Sequence, residues 1–404
     1  MKGGFKAIKV TDHVYWVGAI DWAIRDFHGY QTNRGTTYNA YLILADKITL
    51  IDTVKAPFIN ELFSRISSVV KPEDIDYVVS NHSEMDHSGC IPATAGLIKP
   101  EKIFASKNGA LALDGHYGMG DKITAVKDGE TLDLGGANLT FVETKMIHWP
   151  DSMFTYMAED GGVLFSQDGF SMHLASSERF ADEICGDVVR WEAAKYYANI
   201  LLPLSGRIAD LLKKVDGMGL EIGAIAGDHG PIWRGDLDTI IGWYSEWAGR
   251  KLKKKAVVVF DTMWQSTAAM ARAVCEGLTG EGVSVKVMPL GASHRSNVAT
   301  ELLDAGALIV GSPTLNNNMF PTVADCLTYI KGLKPGGLVG AAFGSYGWSG
   351  EAVKQVEEIL KSMNVRLVGE GVRSRYVPDG EMLERCNQLG KAVAEELKAT
   401  LSGE

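Results

Sequence analysis

The segment Asn81-His82-Ser83-Glu84-Met85-Asp86-His87 sets four potential metal ligands, His82, Glu84, Asp86 and His87, within six residues. Imidazoles and carboxylates bind metal ions once deprotonated. The heptad follows Asp76–Ser80, an apolar run with strand character. A short loop at a strand end can aim alternate side chains into one pocket. Alone, the heptad reads better as a polar, solvated turn. Three further residues change that balance. His148 follows the strand-like Leu139–Thr144, Asp168 ends the run Val163–Gln167, and His229 ends Ala224–Asp228. Each stands at or just past the C-terminal end of an apolar run. Seven candidate ligands exceed what one metal needs, so a pair of metals is expected.

The elements that must position these residues fall into two rhythms. In the first part of the chain, Tyr38–Leu44, Ile48–Asp52, Asp76–Ser80, Ile103–Ser106, Leu139–Thr144 and Val163–Ser166 read as strands, and Glu61–Val70 and Glu192–Leu202 as helices. Lys251, Lys253, Lys254 and Lys255 then form a basic junction, which also suits a solvated helix end. We place the boundary there, giving domains 1–252 and 253–404. Beyond it come Ala256–Phe260, Val283–Pro289, Ala307–Gly311, Leu338–Phe343 and Val365–Val368, five short apolar runs separated by helical patterns. Such alternation predicts an α/β fold with a doubly wound parallel sheet.

Ligands of such a sheet bind beyond the carboxyl ends of its strands. Thr262, Met263, Trp264, Gln265, Ser266 and Thr267 lie between the first strand and its helix, where hydroxyls and open N–H groups suit a phosphate. An ordinary helix cap would look similar. The loop Ser312, Pro313, Thr314, Leu315, Asn316 and Asn317 follows the third strand, and Gly344, Ser345, Tyr346, Gly347, Trp348 and Ser349 follow the fourth. Their glycine, proline and aromatic content suits a flat heterocycle. Three such loops at successive strand ends argue against unrelated surface turns. No G-x-G-x-x-G segment and no P-loop occurs, which disfavours dinucleotide and nucleoside-triphosphate sites.

Composition narrows the class. The 404 residues are 46% hydrophobic and 22% charged with a formal charge of −10, which argues for a folded protein without a nucleic-acid surface. Cys90, Cys185, Cys275, Cys326 and Cys386 are scattered without a Cys-x-x-Cys pair, as expected of reduced thiols in a cytoplasm. No apolar run approaches the ~18–20 residues of a membrane span.

The ligand order resembles the metallo-β-lactamase superfamily, whose loop usually reads His-x-His-x-Asp-His; here Glu84 replaces the second histidine. The mixed donor set favours a diiron site, with manganese and zinc as alternatives. The second part resembles flavodoxin, which implies FMN, its phosphate at residues 262–267 and its ring in the two later loops. Together the two parts resemble the flavodiiron proteins. The resemblance also runs through Gly18–Trp22, Phe27–Tyr30, Gly35–Tyr41, His148–Met153, Ala194–Asn199 and Gly344–Gly350. It implies an N-terminal metallo-β-lactamase-like αβ/βα sandwich, a C-terminal flavodoxin-like domain, and the minimal two-domain class. It also implies reduction of O2 to water, of NO to N2O, or both.

By the same resemblance, His82, Glu84 and His148 hold one iron, Asp86, His87 and His229 the other, and Asp168 bridges. His28 and Tyr197 are expected near the open coordination positions, and Trp149 is counted with the flavin-binding residues. Asp52 is expected to orient a ligand histidine, or to end its strand as a turn residue. His13, His116, His173 and His294 are read as surface or packing residues. The expected partners are an external electron donor, rubredoxin or reduced F420, and a second copy in a head-to-tail homodimer or dimer of dimers. A dinuclear hydrolase with an appended flavodoxin domain and a pure electron carrier are the competing readings.

Overall fold

The computed structural model describes residues 4–403. The chain divides into two compact units. The second begins at Glu246 and also takes in two short segments, Gly29–Gln31 and Tyr197–Ser205. The expected break after residue 252 therefore lies inside the second unit. Arg250 explains the shift: its guanidinium donates to the carbonyls of Leu303 and Gly336 at 2.8 and 2.9 Å, which ties the basic junction to the sheet that follows it.

The first unit is built on two sheets. One has seven strands in the order Ile8–Lys9, Val14–Trp16, Tyr41–Ile43, Thr49–Ile51, Tyr77–Ser80, Lys102–Ser106 and Ile123–Val126. The other has six, in the order Thr131–Asp133, Asn138–Glu143, Met153–Met157, Val163–Gln167, Ala224–Gly227 and Trp233–Arg234. Strand alternation decides what each face meets. Tyr41, Ile51, Val79 and Phe104 point to a core shared with Leu139, Phe141, Met157 and Phe165 of the second sheet. Their sequence neighbours Leu42, Leu50, Val78 and Ile103 point the other way, onto Leu62, Phe63, Ile91 and Leu113 of covering helices. One-residue offsets thus feed two separate cores.

Tyr38–Leu44 is not one strand. It breaks at Asn39 and Ala40, between Thr36–Tyr38 and Tyr41–Ile43. Asn39 leaves the ladder because its Nδ2 donates to the carbonyls of Gly227 and Gly230 at 2.7 and 3.0 Å, while its Oδ1 accepts from Trp16 Nε1 at 2.8 Å. The helix expected to run to Leu202 is α-helical over Gly186–Tyr196 and opens into a π-turn at Tyr197–Leu201.

The second unit is a parallel sheet in the order Ser284–Pro289, Lys253–Phe260, Ala305–Gly311, Val339–Tyr346, Arg366–Leu367. A further strand, Val372–Arg375, was not expected. It pairs with Phe343–Tyr346, so two short strands share the edge of Val339–Tyr346. Strand order reverses between Lys253–Phe260 and Ala305–Gly311, which opens a crevice at their carboxyl ends. Among the described residues no helix is long and apolar enough to cross a membrane.

Candidate metal centre and flavin cavity

The ligand loop is shaped by groups outside it. Asp52, at the end of Thr49–Ile51 with φ 53°, accepts from Asn81 N at 2.7 Å and Asn81 Nδ2 at 2.9 Å. Asn81 Oδ1 in turn accepts from Thr155 Oγ1 at 2.6 Å. These bonds pin the last residue before His82 to both sheets. Asp151 Oδ2 accepts from Ser83 N at 2.7 Å and Ser83 Oγ at 2.6 Å, and lies 3.1 Å from His82 Nδ1. Asp86 and His87 sit in the helical turn Met85–Ser88, closed by His87 N and Ser88 N donating to the Glu84 carbonyl.

Asp168 follows a bulge. The pairing of Val163–Gln167 with Ala224–Gly227 slips between Phe165 and Gln167, and Gln167 has φ 42°. The kink re-aims the next side chain, and Gln167 Oε1 accepts from Asp168 N at 2.7 Å. His229 donates from Nδ1 to the Thr37 carbonyl at 2.6 Å, which leaves Nε2 as the free ring atom.

The seven residues meet as two adjacent groups, His82, Glu84, His148 and Asp168, and Asp86, His87 and His229. Asp168 turns one oxygen to each. Its Oδ2 is 3.0 Å from His148 Nε2 and 3.3 Å from His82 Nε2, while its Oδ1 is 3.4 Å from His87 Nε2 and 3.6 Å from His229 Nε2. Glu84 Oε2 lies 3.4 and 3.3 Å from the Nε2 atoms of His82 and His148. Asp86 Oδ1 and Oδ2 lie 3.4 and 3.3 Å from His87 Nε2 and His229 Nε2.

Buried polar atoms normally have hydrogen-bond partners. Here His82 Nε2, His87 Nε2, both Asp86 oxygens and Asp168 Oδ1 are buried without one, and all point inward. The donor set, three and four ligand atoms converging from imidazole and carboxylate, fits two metal ions. Without metal, protons stand in. Burial pushes the His87 imidazolium down, but Asp86 and Asp228 outweigh it and raise the ring to about 10. Burial likewise opposes ionisation of Asp168, and bonds from His148 and His87 reverse that, holding it well below the usual range. The cluster is charge-paired internally until a cation displaces the protons.

In the second unit a cavity of about 490 Å³ lies at the crevice. Met263, Trp264, Ser266, Pro313, Thr314, Leu315, Asn316, Ser345, Tyr346, Gly347 and Trp348 line it, with Tyr376 and Val377. The helix Ser266–Gly280 begins without a side-chain cap, after Gln265 in the left-handed region. Thr262 Oγ1 is buried with no hydrogen-bond partner beside it. Open N–H groups and a spare hydroxyl fit a phosphate. Trp264 and Trp348 are 89% and 83% exposed, flat apolar faces that a planar ring system would cover.

Residues 36–230 match the family model described as ODP family beta lactamase, and residues 258–390 match that of flavodoxin. The chain is 46% identical to a nitric oxide reductase of Moorella thermoacetica, over 96% of this chain and 98% of that protein. It is 44% identical to a rubredoxin-oxygen oxidoreductase of Megalodesulfovibrio gigas, over 98% and 100%. The solved rubredoxin oxygen:oxidoreductase from Desulfovibrio gigas superposes with a TM-score of 0.96 at 43% identity, covering 98% of this chain and 100% of that one. The flavodiiron protein from Giardia intestinalis does so with a TM-score of 0.96 at 35% identity, covering 100% and 99%. The chain belongs to the flavodiiron protein family. Its cofactors are two irons and FMN.

Within this flavodiiron chain several expectations change. Asp52 holds Asn81 and no ligand histidine; the carboxylates facing ligand rings are Asp151 at His82 and Asp228, whose Oδ2 is 3.4 Å from His87 Nδ1. Tyr197 bonds Ser205 Oγ at 3.1 Å and packs its ring on Trp247. The tyrosine beside the cluster is Tyr196, its ring centroid 6.2 Å from that of His229 and 5.1 Å from that of His173. Adjacent helical residues point about 100° apart, so a one-residue slip changes the surroundings entirely.

His173, read as a packing residue, is buried with its ring centroid 4.6 Å from that of His229 and its Nδ1 2.8 Å from Thr36 Oγ1. Burial, then the neighbouring His229, pushes its pKa well down, so it is neutral. His28 is 76% exposed, with Nε2 3.4 Å from Glu84 Oε1 at the mouth of the site. Trp149 lies edge-on to His82, centroids 5.3 Å apart, and is not among the residues lining the flavin cavity. Thr262, Gln265, Thr267, Ser312, Asn317, Gly344 and Ser349 do not line it either. Thr267 Oγ1 bonds Ser345 Oγ at 2.8 Å. Gly344 has a packing role instead, since a Cβ there would stand 2.1 Å from the Ser312 carbonyl.

Tyr376 and Val377 are cavity residues that no sequence motif marked. The signal was present in Val372–Arg375, a short alternating run whose end delivers them.

Proposed function

We propose that the chain reduces O2 to water, NO to N2O, or both, with His82, Glu84 and His148 at one iron, Asp86, His87 and His229 at the other, and Asp168 bridging. The observation that carries this reading is Asp168, whose two oxygens each face one ligand group. Two irons held there would supply electrons in pairs to a diatomic substrate, and reduced FMN would restore them. Glu84 contributes an anionic oxygen donor where zinc hydrolases favour nitrogen, which supports redox chemistry over hydrolysis. His28 stands beside Glu84 of one ligand group and Tyr196 beside His229 of the other. Each carries a ring N–H or O–H that could donate a hydrogen bond to a substrate oxygen.

Ser266 and the open N–H groups of the uncapped helix start would hold the flavin phosphate, beside the spare hydroxyl of Thr262, and Trp348, Tyr346, Trp264 and Tyr376 would face its ring. Electrons come from a separate donor, rubredoxin in the first instance, the donor named in the Megalodesulfovibrio gigas relative, with the reduced coenzyme F420 named in the Methanothermobacter thermautotrophicus relative as the alternative. A head-to-tail homodimer would set the flavin of one copy beside the metal cluster of the other, and Trp149 against that flavin. The test is metal and flavin analysis of the purified protein, followed by anaerobic reduction and exposure to O2 or NO. Rapid uptake of either gas, with reoxidation of the flavin, is expected. Zinc in place of iron and no gas uptake would overturn the reading.

A further inference from the structure

A ligand turn can be held by its own strand or from outside it. The turn after Ala224–Gly227 carries two groups that address one half of the cluster. His229 Nε2 is 3.3 Å from Asp86 Oδ2, and Asp228 Oδ2 is 3.4 Å from His87 Nδ1. The other half takes His82, Glu84 and His148 from different segments.

Asn39 grips this turn at both ends. Its Nδ2 donates to the carbonyls of Gly227 at 2.7 Å and Gly230 at 3.0 Å, and its backbone N donates to the Asp228 carbonyl at 2.8 Å. Its Oδ1 accepts from Trp16 Nε1 at 2.8 Å. An indole N–H only donates and a carbonyl only accepts, so the amide has one orientation and spends both its N–H bonds on the turn. Trp16 is a packed anchor on the first sheet, fully buried, with the guanidiniums of Arg65 and Arg179 each 4.5 Å from its ring. Arg65 is held in turn by Glu61 Oε1 at 2.6 Å.

Neither carbonyl depends on Asn39 for a hydrogen bond. That of Gly227 also accepts from Tyr41 Oη at 2.6 Å, and that of Gly230 from Thr37 Oγ1 at 3.4 Å. A buried carbonyl is satisfied by one partner, so the need to pair polar groups does not explain the amide. What the amide adds is a fixed span. One planar group joins the two ends of the turn and refers both to Trp16. Serine and threonine offer a single donor, an ionised aspartate none, and glutamine reaches a methylene further.

Resting on the ligand assignment above, we propose that Asn39 is a positioning residue for one of the two metal positions. It sets where His229 meets Asp86 and where Asp228 meets His87. The other position hangs on Asn81 and on Asp151, which hold the loop of His82, and Asn39 does not act on it.

The test compares the full-length, FMN-bound protein as wild type, Asn39→Asp and Tyr41→Phe. Asn39→Asp keeps the shape but sets a carboxylate against two carbonyls. Tyr41→Phe removes a bond to the same turn and leaves the clamp intact. Iron per chain is measured first. Each protein is then stripped of metal and titrated with cobalt(II) against a chelator, the ligand-field bands beyond the flavin absorption reporting each bound ion. Wild type and Tyr41→Phe should bind two cobalt ions alike. In Asn39→Asp one of the two should weaken by roughly 10- to 100-fold while the other is unchanged. A second substitution identifies which. Asn39→Asp should add nothing to Asp86→Ala, which already disables that position, and should act in full on Glu84→Ala. Trp16→Phe frees the amide oxygen but keeps both bonds to the turn. It should act in the same direction, and it carries the test if Asn39→Asp does not fold. Equal weakening of both ions, as general loss of packing would give, or no weakening of either, overturns the proposal. Fewer than two cobalt ions in wild type would bring down the ligand assignment as well, whereas two in wild type without selective loss removes Asn39 alone.

Discussion

Asp151 Oδ2 lies 3.1 Å from His82 Nδ1 while accepting two bonds from Ser83, so one carboxylate fixes both the ring of a metal ligand and the backbone that carries it. A ligand histidine held through its other nitrogen keeps its tautomer and its aim. Asp151→Asn preserves the size but loses the charge. Iron affinity should fall by roughly 10- to 100-fold, measured by competition with a chelator, while FMN content stays at the wild-type level. Undiminished iron affinity would remove Asp151 from this role.

Asp168 faces both ligand groups and Glu84 only one. Asp168→Ala should therefore lose iron from both positions, and Glu84→Ala chiefly from one, with the flavin spectrum retained in each. Metal analysis per chain separates the outcomes. Equal, complete retention in both variants would show that the bridging assignment is wrong.

Metal binding should release protons. His87 is held protonated up to about 10 by Asp86 and Asp228 against burial, and a bound cation must displace that proton. Iron(II) affinity of the stripped protein should rise with pH over the range below that value. A calorimetric titration in buffers of different ionisation enthalpy counts the protons, and an affinity independent of pH contradicts the charge pairing described.

The flavin site offers a sharper substitution. Ser266 lines the cavity at an uncapped helix start. Ser266→Glu places a carboxylate where the phosphate belongs, so the protein should purify without FMN and with its iron intact. Tyr376→Ala removes one aromatic face, worth about 0.5–1.5 kcal/mol of stacking, and should weaken FMN by up to about tenfold in fluorescence titrations.

Trans electron transfer can be tested by mixing. A Glu84→Ala chain lacks a complete iron pair and a Ser266→Glu chain lacks flavin, so neither homodimer should turn over. Mixed dimers retain one intact pair across the interface and should recover part of the activity. No recovery after subunit exchange, verified by mass-tagged chains, would count against the head-to-tail arrangement.

Residue order along the chain made much of this legible. His82, Glu84, Asp86, His87, His148, Asp168 and His229 could be picked out because each stands at the end of an apolar run, and strand ends are where a β-rich fold collects polar groups. The alternation after residue 252 likewise announced a parallel sheet, since strands buried on both faces must be apolar throughout. What sequence order could not carry was direction. Tyr196 and Tyr197 are adjacent and alike, and only the helix phase, ending at a π-turn, decides which one faces His229. His173 looked solitary because its partners Thr36 and His229 are distant in sequence. Asp151 takes the role expected of Asp52 for the same reason: which carboxylate meets His82 depends on how the two sheets stack. Local periodicity marks most of the elements; long-range packing, as at Asn39, sets where some of them break and which side chains meet there.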